Sequence, residues 1–445
     1  MKPENIQLLA PLFQILGKNE VKEVGRLSGF IQRERSFSAA QFLHFLFLKK
    51  SEIISDSLET LCTDLAEQDI FMTKSALNKR FDERAVTFLE TIFGRLFKTQ
   101  LQLAFPKLTG YTFTRIRILD STTIKLPDAY QGNFQGVHCS SVKVQVEFDY
   151  LTQQLLYFDL MNGRDADNPA GMTRLPLIQE RELVLQDLGY FQFDFFKKVH
   201  AKGAFYITKT KKDTQLFVEV SHPPRHPNGK LIESRRYKQI HLEEIALDMV
   251  RGEYKEWSQL FVGRHEKMPA RCILYRLSEE QEKELHKREK RRRQKKQGQV
   301  HKNEVEQIPG VVIYLTNVPE DMPASEIHEL YRLRWQIELL FKTWKSDLEV
   351  DKMKKVKIER WLCHFYLQSI VLLLTEMIMG MMRNDLWVTR KRRISERKTV
   401  RLIAKQINRL LKSMWHSKKQ LYVYFDTLTR NVSSFCLKCK KRKTS

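Results

Sequence analysis

The sequence predicts a mixed α/β (α+β) protein, with a central α/β region that is interrupted by a β-rich insertion and flanked by helical N- and C-terminal regions. Apolar residues recur at helical spacing near both ends of the chain, whereas strand-like alternation dominates between them. The chain has 445 residues, which is long enough for several hydrophobic cores. We therefore expect a helical region at 1–105, a core at 106–210 and 311–347, an insertion at 211–310, and a helical basic region at 348–445.

The N-terminal region carries clear signals for helix starts. Ser38 and Gln41 form a capping-box pattern, and Thr73 and Asp82 are N-cap candidates. The short basic helix after Thr73 lies between two apolar helices, as in a helix-turn-helix DNA reader. An ordinary helical bundle with an exposed basic loop fits equally well. On the first interpretation, the candidate DNA contacts are Lys74, Lys79 and Arg80.

The central region has a recognisable order of elements. Three alternating segments predict antiparallel strands, of which the second and third are joined by a short turn, and a helix, a strand, a helix and a strand follow. This is the order of the ribonuclease H-like fold. The predicted strands are 115–120, 142–150, 155–160, 182–187, 204–208 and 311–316, and the predicted helices are 172–181 and 194–202.

The insertion and the C-terminal region are both rich in Lys and Arg. The insertion predicts short strands with Pro- and Gly-containing turns, and it includes the basic run 286–298. A charge run is commonly a solvated segment, but in a chain of this charge it is also typical of a phosphate-binding patch. The C-terminal region contains further basic segments at 352–360, 390–401 and 438–443.

The overall charge predicts a polyanionic partner. Lys and Arg number 77 against 53 Asp and Glu, which gives a formal net charge of +24 and a pI near 9.7. Nucleic acid is the leading candidate and an anionic membrane surface is the alternative. The sequence suggests no amphipathic helix with an all-basic polar face, so we expect no membrane partner.

Other features favour a cytoplasmic protein. The first 15 residues have no secretory signal pattern, and the six cysteines are scattered, as suits a reducing compartment. Polar residues such as Glu376 interrupt the apolar stretch 361–382, which predicts a buried helix rather than a membrane span. Cys436 and Cys439 lack two further ligands nearby, so they predict no zinc site.

The segment 331–345 organises the rest of the chain. It has no Gly or Pro, and its apolar residues define one face of a predicted helix that starts near Pro323. At 100° per residue, one narrow strip beside that face combines a phenol, a carboxylate and two cations. Such a strip suits metal and phosphate binding, although a solvated helix face is the alternative. Its members are Tyr331, Arg334, Glu338 and Lys345.

Three acids are candidates for a metal site. Asp120 and Asp187 end two predicted strands that are neighbours in a ribonuclease H-like core, and Glu338 lies on the helix after the insertion. Carboxylate oxygens select Mg²⁺ or Mn²⁺, and two such ions support phosphodiester chemistry. Other acids near strand ends compete for the assignment, and any of them can be a turn or cap residue. These rivals are Asp149, Asp159, Asp165 and Asp167.

Several motifs together resemble the DDE transposases of bacterial insertion sequences. Tyr331, Arg334, Glu338 and Lys345 match the Tyr-x2-Arg-x3-Glu-x6-Lys signature of one group at every position. The segments Ile118-Leu-Asp-Ser-Thr-Thr and Val184-Leu-Gln-Asp-Leu-Gly-Tyr-Phe are similar to the segments around the first two acids of the group, and Thr73–Phe81 to part of its N-terminal region. Gln186 and Lys209 stand where relatives commonly carry other residues.

The resemblance implies roles for these residues. Two Mg²⁺ or Mn²⁺ ions would be held by Asp120, Asp187 and Glu338, and Trp335 would stack near an unpaired base. Phosphates of the transposon end would be held by Arg334 and Lys345, with Tyr331 beside them in the DNA-binding set. Residues 1–105 would bind transposon ends. The group cuts double-stranded DNA at inverted-repeat ends, commonly through a hairpin, and joins the 3′-OH to target DNA as a dimer.

Two other functions remain open from the sequence. One is a DNA-binding protein that descends from a transposase but does not cut. The other is a ribonuclease H-like nuclease that cuts without strand transfer.

Overall fold

The computed structural model describes residues 10–33, 37–103, 107–108, 110–210, 214–287, 310–390 and 392–438. Most of the predicted basic run at 286–298, and Cys439, therefore lie outside the described residues. The chain divides into two compact units. The first unit consists of residues 1–111, 121–165 and 336–445, and the second unit consists of residues 112–120 and 166–335.

The first unit is mainly helical. Its N-terminal helices begin at side chains that accept hydrogen bonds from the first turn, as predicted: Ser38 forms a capping box with Gln41, and Thr73 and Asp82 are N-caps. The helices of this part are α1 (Ala10–Leu16), α2 (Lys18–Leu27), α3 (Ala39–Lys49), α4 (Glu52–Ser55), α5 (Leu58–Ala66), α6 (Lys74–Arg80) and α7 (Glu83–Gln102).

The second unit contains most of one mixed sheet. The strands are β1 (Arg115–Lys125), β2 (Ser141–Asp149), β3 (Leu155–Asn162), β4 (Glu182–Gln186), β5 (Phe205–Lys209), β6 (Leu216–Glu219), β7 (Tyr237–Ile240), β8 (Tyr254–Val262), β9 (Met268–Arg276) and β10 (Val311–Thr316). Strand β1 contributes residues to both units. In the second unit the strand order is β1-β4-β5-β10-β9-β8-β6-β7, and in the first unit β2 lies between β1 and β3.

The strands of the insertion extend the core sheet. Strands β1, β4 and β5 are parallel, whereas β10 runs antiparallel to both β5 and β9. The strands β6 to β9 thus continue the sheet of the second unit beyond β10. One hydrophobic cluster joins the core strands to the insertion strands: it includes Val184 of β4, Leu315 of β10 and Leu260 of β8.

The helices of the second unit are α8 (Asn168–Arg174), α9 (Phe193–Ala201), α10 (Leu242–Leu247) and α11 (Ala324–Arg332). Pro323 caps α11, in line with the predicted helix start. The predicted helix 172–181 is misplaced, because α8 begins earlier and Arg174 ends it. A 3-10 turn over Leu175–Leu177 follows, and Pro176 in that turn cannot donate a helical hydrogen bond.

The C-terminal helices belong to the first unit. They are α12 (Trp335–Asp347), of which the first residue lies in the second unit, α13 (Ile358–Arg390), α14 (Glu396–His416) and α15 (Lys418–Phe435). Helix α13 has the length and apolar composition of a membrane span, but its most apolar 18-residue window is completely buried against the rest of the protein. The prediction of a buried helix is confirmed by this packing.

Candidate active site

Asp120 and Asp187 follow the same register position on two neighbouring parallel strands. Leu119 of β1 pairs with Gln186 of β4; Asp120 is the next residue within β1, and Asp187 directly follows the end of β4. Side chains at equivalent positions of parallel strands point to the same side of the sheet, and neighbouring strands lie about 4.8 Å apart. The predicted juxtaposition of these two aspartates therefore follows from the observed strand pairing.

Arg334 supplies a cation to this pair of carboxylates. Its Nη1 atom donates a hydrogen bond to Asp120 Oδ2 at 2.9 Å, and the two side chains are only 14% and 18% exposed. Hydrogen bonds between ionised groups are stronger than neutral ones, and low exposure limits screening by solvent. Arg334 therefore offsets part of the negative charge that the two aspartates concentrate at the sheet edge.

Tyr331 is the buried member of the predicted strip. Its hydroxyl donates a hydrogen bond to the backbone oxygen of Gln186 at 3.2 Å, directly before Asp187. Burial raises the pKa of the Tyr331 phenol, Arg334 lowers it, and the negative charges of Asp187 and Asp120 raise it further. The phenol therefore stays protonated at neutral pH and remains a hydrogen-bond donor.

A break between helices positions Tyr331 and Arg334, and it corrects the prediction of one continuous helix over 331–345. Helix α11 ends at Arg332 and α12 begins at Trp335. The backbone N–H groups of Leu333 and Arg334 donate to carbonyls three residues earlier, which tightens the chain into a turn. Arg334 therefore lies in the turn rather than on a helix face, while Trp335 is 47% exposed.

Glu338 and Lys345 lie on α12 in the first unit. Lys345 Nζ donates a hydrogen bond to the backbone oxygen of Thr123 at 2.8 Å. Burial lowers the pKa of the Lys345 ammonium, and Asp351 opposes this shift. Glu338 is partly exposed in the first turn of α12, where the positive end of the helix dipole favours a carboxylate.

The sequence of these elements matches a known family. The family model described as "Transposase DDE domain" matches residues 111–374, more than half of the chain, and this range contains every residue discussed above. The chain belongs to the DDE transposases of bacterial insertion sequences. The transposase for insertion sequence element IS231B of Bacillus thuringiensis subsp. berliner is 32% identical over 423 residues, which cover 92% of this chain and 88% of that relative.

Further similarities extend across species. The transposase for element IS1151 of Clostridium perfringens is 29% identical over 435 residues, covering 95% of this chain and 91% of the relative. Among solved structures, a piggyBac transposase synaptic complex with hairpin DNA is similar at a TM-score of 0.49 and 10% identity, over 99% of this chain and 86% of that one. A TM-score below 0.5 leaves the fold comparison open.

The DDE transposase has donors that fit a hard divalent cation at the sheet edge. Two carboxylates at one register position offer oxygen ligands of the kind that Mg²⁺ and Mn²⁺ prefer. Among the residues that the structure describes, no three His, Cys, Asp or Glu side chains are grouped closely enough to hold a metal ion. Asp120 also pairs with the guanidinium of Arg334.

Three of the four rival aspartates accept hydrogen bonds from residues close to them in sequence. Asp149 is completely buried and accepts hydrogen bonds from Leu151 N–H and the Thr152 hydroxyl. Asp165 accepts from a backbone N–H three residues earlier, and Asp159 from the hydroxyl of a neighbouring tyrosine. Asp167 lies at the start of α8. These contacts are typical of turns for Asp149 and Asp165, whereas Asp159 is an exposed residue within β3.

Two residues beside the transposase site have contacts that no local pattern reveals. The Lys209 ammonium lies 5.1 Å from the centroid of the Tyr331 ring, which places a cation against this phenol. Gln186 is 1% exposed, and neither polar atom of its amide has a hydrogen-bond partner among the described residues. The sequence marked both only as departures from relatives. Their partners are more than 100 residues away or absent, so spacing could not predict these environments.

Proposed function

We propose that this protein is the transposase of an insertion sequence, and that it cuts double-stranded DNA at the inverted-repeat ends of its element and joins the freed 3′-OH to target DNA. The proposal includes a ribonuclease H-like core, a cut-and-paste route through a hairpin, and a homodimer that holds two ends. The observation that carries it is the pair of aspartates in register on β1 and β4, with Arg334 on one of them.

Asp120, Asp187 and Glu338 are the proposed metal ligands. Two Mg²⁺ or Mn²⁺ ions held there would supply an activated attacking oxygen and charge stabilisation for the leaving oxygen of a phosphodiester. Placing Glu338 in this set is supported by chain distance, because it follows Arg334, in the turn before α12, by only four residues. Arg334 donates directly to Asp120.

The remaining members of the signature act on the DNA in this proposal. Arg334 turns its guanidinium from Asp120 to a phosphate of the transposon end, because both are anionic oxygens that its fork can bind. Lys345 contributes a second phosphate contact, and Tyr331 fixes the backbone before Asp187. Trp335, whose ring is 47% exposed, offers a stacking surface to an unpaired base.

The whole chain supports a DNA partner and not a membrane partner. Its formal net charge of +24 favours polyanions, and its one candidate membrane span among the described residues is buried. We place the protein in the bacterial cytoplasm, on the nucleoid when it is bound to DNA. The N-terminal helices are proposed to bind transposon ends, with the exposed residues Lys74 and Lys79 as candidate contacts. Lys74 also pairs with Glu59 at 2.8 Å, and Arg80 donates a hydrogen bond to the backbone oxygen of Phe37.

The test is cleavage of a labelled duplex that carries the element's own end, with Mg²⁺ present. We expect the wild type to cut and join this DNA and Asp187→Asn to bind it without cutting. Asp194→Asn is a matched control, because Asp194 is an exposed acid of the same unit that pairs only with Lys198 one turn along α9. The control should cut normally.

Other results would support the rival functions. Binding without cleavage by all three proteins indicates a non-catalytic DNA-binding protein, whereas cleavage without joined product indicates a nuclease. Glu338→Gln tests the third ligand: we expect it to abolish cleavage and to leave end binding intact. Cleavage by Glu338→Gln at the wild-type rate would remove Glu338 from the proposed set.

A further inference from the structure

Helix α14 carries a continuous basic stripe. Seven of its side chains are exposed, and all of them are Lys, Arg or His. The basic stripe consists of Arg397, Lys398, Arg401, Lys405, Arg409, Lys412 and His416. At 100° per residue these positions fall within about 120° of arc, and at 1.5 Å per residue they extend over about 28 Å.

The opposite face of α14 is buried inside the first unit. Its apolar residues, among them Val400, Ile403, Ile407 and Leu411, are at most 2% exposed. They pack against α1, α3, α13 and α15. The helix is therefore amphipathic with a basic polar face, which corrects the expectation that the chain has no such helix.

The burial of this apolar face argues against a membrane as the partner. An interfacial helix binds a bilayer by inserting its apolar face among the lipid chains. In α14 that face is already occupied by other helices of the unit. What remains for a partner is a row of cations without exposed large apolar side chains, and such a row binds anions through charge alone.

Most cations of the stripe are not neutralised by acidic side chains of the described residues. Arg397 and Arg401 share the buried carboxylate of Asp347, at 3.0 and 2.6 Å, yet both remain about half exposed. One acid therefore orients two cations. Across the part of the chain that the structure describes, no ion pair joins an acid to Lys398, Lys405, Arg409 or Lys412.

We infer that the basic stripe binds the phosphate backbone of duplex DNA without reading its sequence. The inference rests on the proposed function, because it assigns a DNA-binding surface to a transposase. Successive cations four residues apart are separated by about 6 Å along α14, and duplex DNA presents a phosphate every ~3.4 Å along each strand. The stripe contains no Asn or Gln, whose amides pair with base edges. Its arginines can bind phosphates without contacting any base.

The test replaces three stripe residues by glutamine, in the variant Lys405→Gln, Arg409→Gln, Lys412→Gln. Each lost phosphate contact reduces the slope of log K against log salt by about 0.9, so the triple variant should lose about 2.7 from the slope. Raising salt from 50 to 200 mM should then weaken its binding roughly 40-fold less than it weakens wild-type binding. We expect the same change with end DNA and with an unrelated duplex of equal length.

The control lowers the net charge equally without touching the stripe. The variant Lys197→Gln, Lys230→Gln, Lys238→Gln removes three exposed lysines that lie outside the stripe, the N-terminal helices and the proposed site residues, and its slope should stay near that of wild type. Glutamine is a good helix former, so both variants should keep their unfolding midpoints. An equal loss of slope in the two variants would refute a role for the stripe itself.

Two further outcomes would overturn the inference. One is a loss confined to end DNA, which would make the stripe a sequence reader. The other is unchanged duplex binding with lost binding to vesicles of anionic lipid, which would make a membrane the partner. The proposed function is tested separately, because it is refuted if wild type does not cut end DNA. In that case a smaller slope of log K against log salt in the stripe variant would still support DNA binding by the basic stripe.

Discussion

Replacing Arg334 by glutamine removes the cation that lies against the two aspartates. The Arg334–Asp120 distance is 2.9 Å, and both side chains are largely buried. Two carboxylate charges separated by a strand spacing of about 4.8 Å repel by about 3 kcal/mol at an effective dielectric constant near 20. We therefore expect Arg334→Gln to lower the free energy of unfolding by about 2–3 kcal/mol at pH 7 when divalent cations are absent.

The same reasoning predicts that Mg²⁺ rescues this variant. A divalent cation that binds Asp120 and Asp187 supplies the positive charge that the missing guanidinium provided, whereas in wild type it must compete with Arg334. Thermal unfolding in EDTA and in Mg²⁺ measures the effect, and Mg²⁺ should raise the midpoint of Arg334→Gln more than that of wild type. Cleavage of end DNA by the variant should fall, because Arg334 is also a proposed phosphate contact.

Arg332→Gln is the matched control. Arg332 lies two residues earlier and pairs with Glu329 at 2.7 Å, but both side chains are 63% exposed. Exposed pairs of this kind contribute about 0–1 kcal/mol. Equal stability losses in the two variants, or equal Mg²⁺ effects, would refute the argument that Arg334 compensates the charge of the aspartates.

Three further predictions concern stability. Asp347→Asn should lower the free energy of unfolding by about 2–4 kcal/mol, because the Asp347 carboxylate is 1% exposed and bound by two arginines. The control Asp426→Asn breaks an exposed pair and should lower it by less than about 1 kcal/mol, with both variants measured by urea unfolding. Burial raises the pKa of Glu376 to about 8, whereas its pKa in the unfolded chain is near 4.5. The free energy of unfolding of wild type should therefore fall as pH rises from about 4.5 to about 8. Glu376→Gln should show no such fall when unfolding is measured across that pH range. Gln186→Met should raise the free energy of unfolding by about 1 kcal/mol, because it removes a buried amide without partners; a loss of stability would mean that the amide is satisfied.

Much of this protein was predictable from local sequence. The caps at Ser38, Thr73 and Asp82, the strand that ends directly before Asp187, and the family signature all depend on residues within a few positions of each other, whereas β1 continues to Lys125 and does not end at Asp120 as predicted. Local backbone geometry follows from such short-range patterns. The family assignment is confirmed by relatives that match almost the whole chain. The roles of the site residues and the domain boundaries stay predictions.

Tertiary structure decided what the local pattern could not. The segment 331–345 has the composition of one helix, but the chain turns at Leu333 and Arg334, and Arg334 binds an aspartate 214 positions earlier. The sequence analysis missed the amphipathic character of α14, and packing against four other helices showed that its apolar face is occupied. Periodicity reports the shape of a segment, because it arises from neighbours along the chain. Ion pairs and burial report its surroundings, which residues distant in sequence provide.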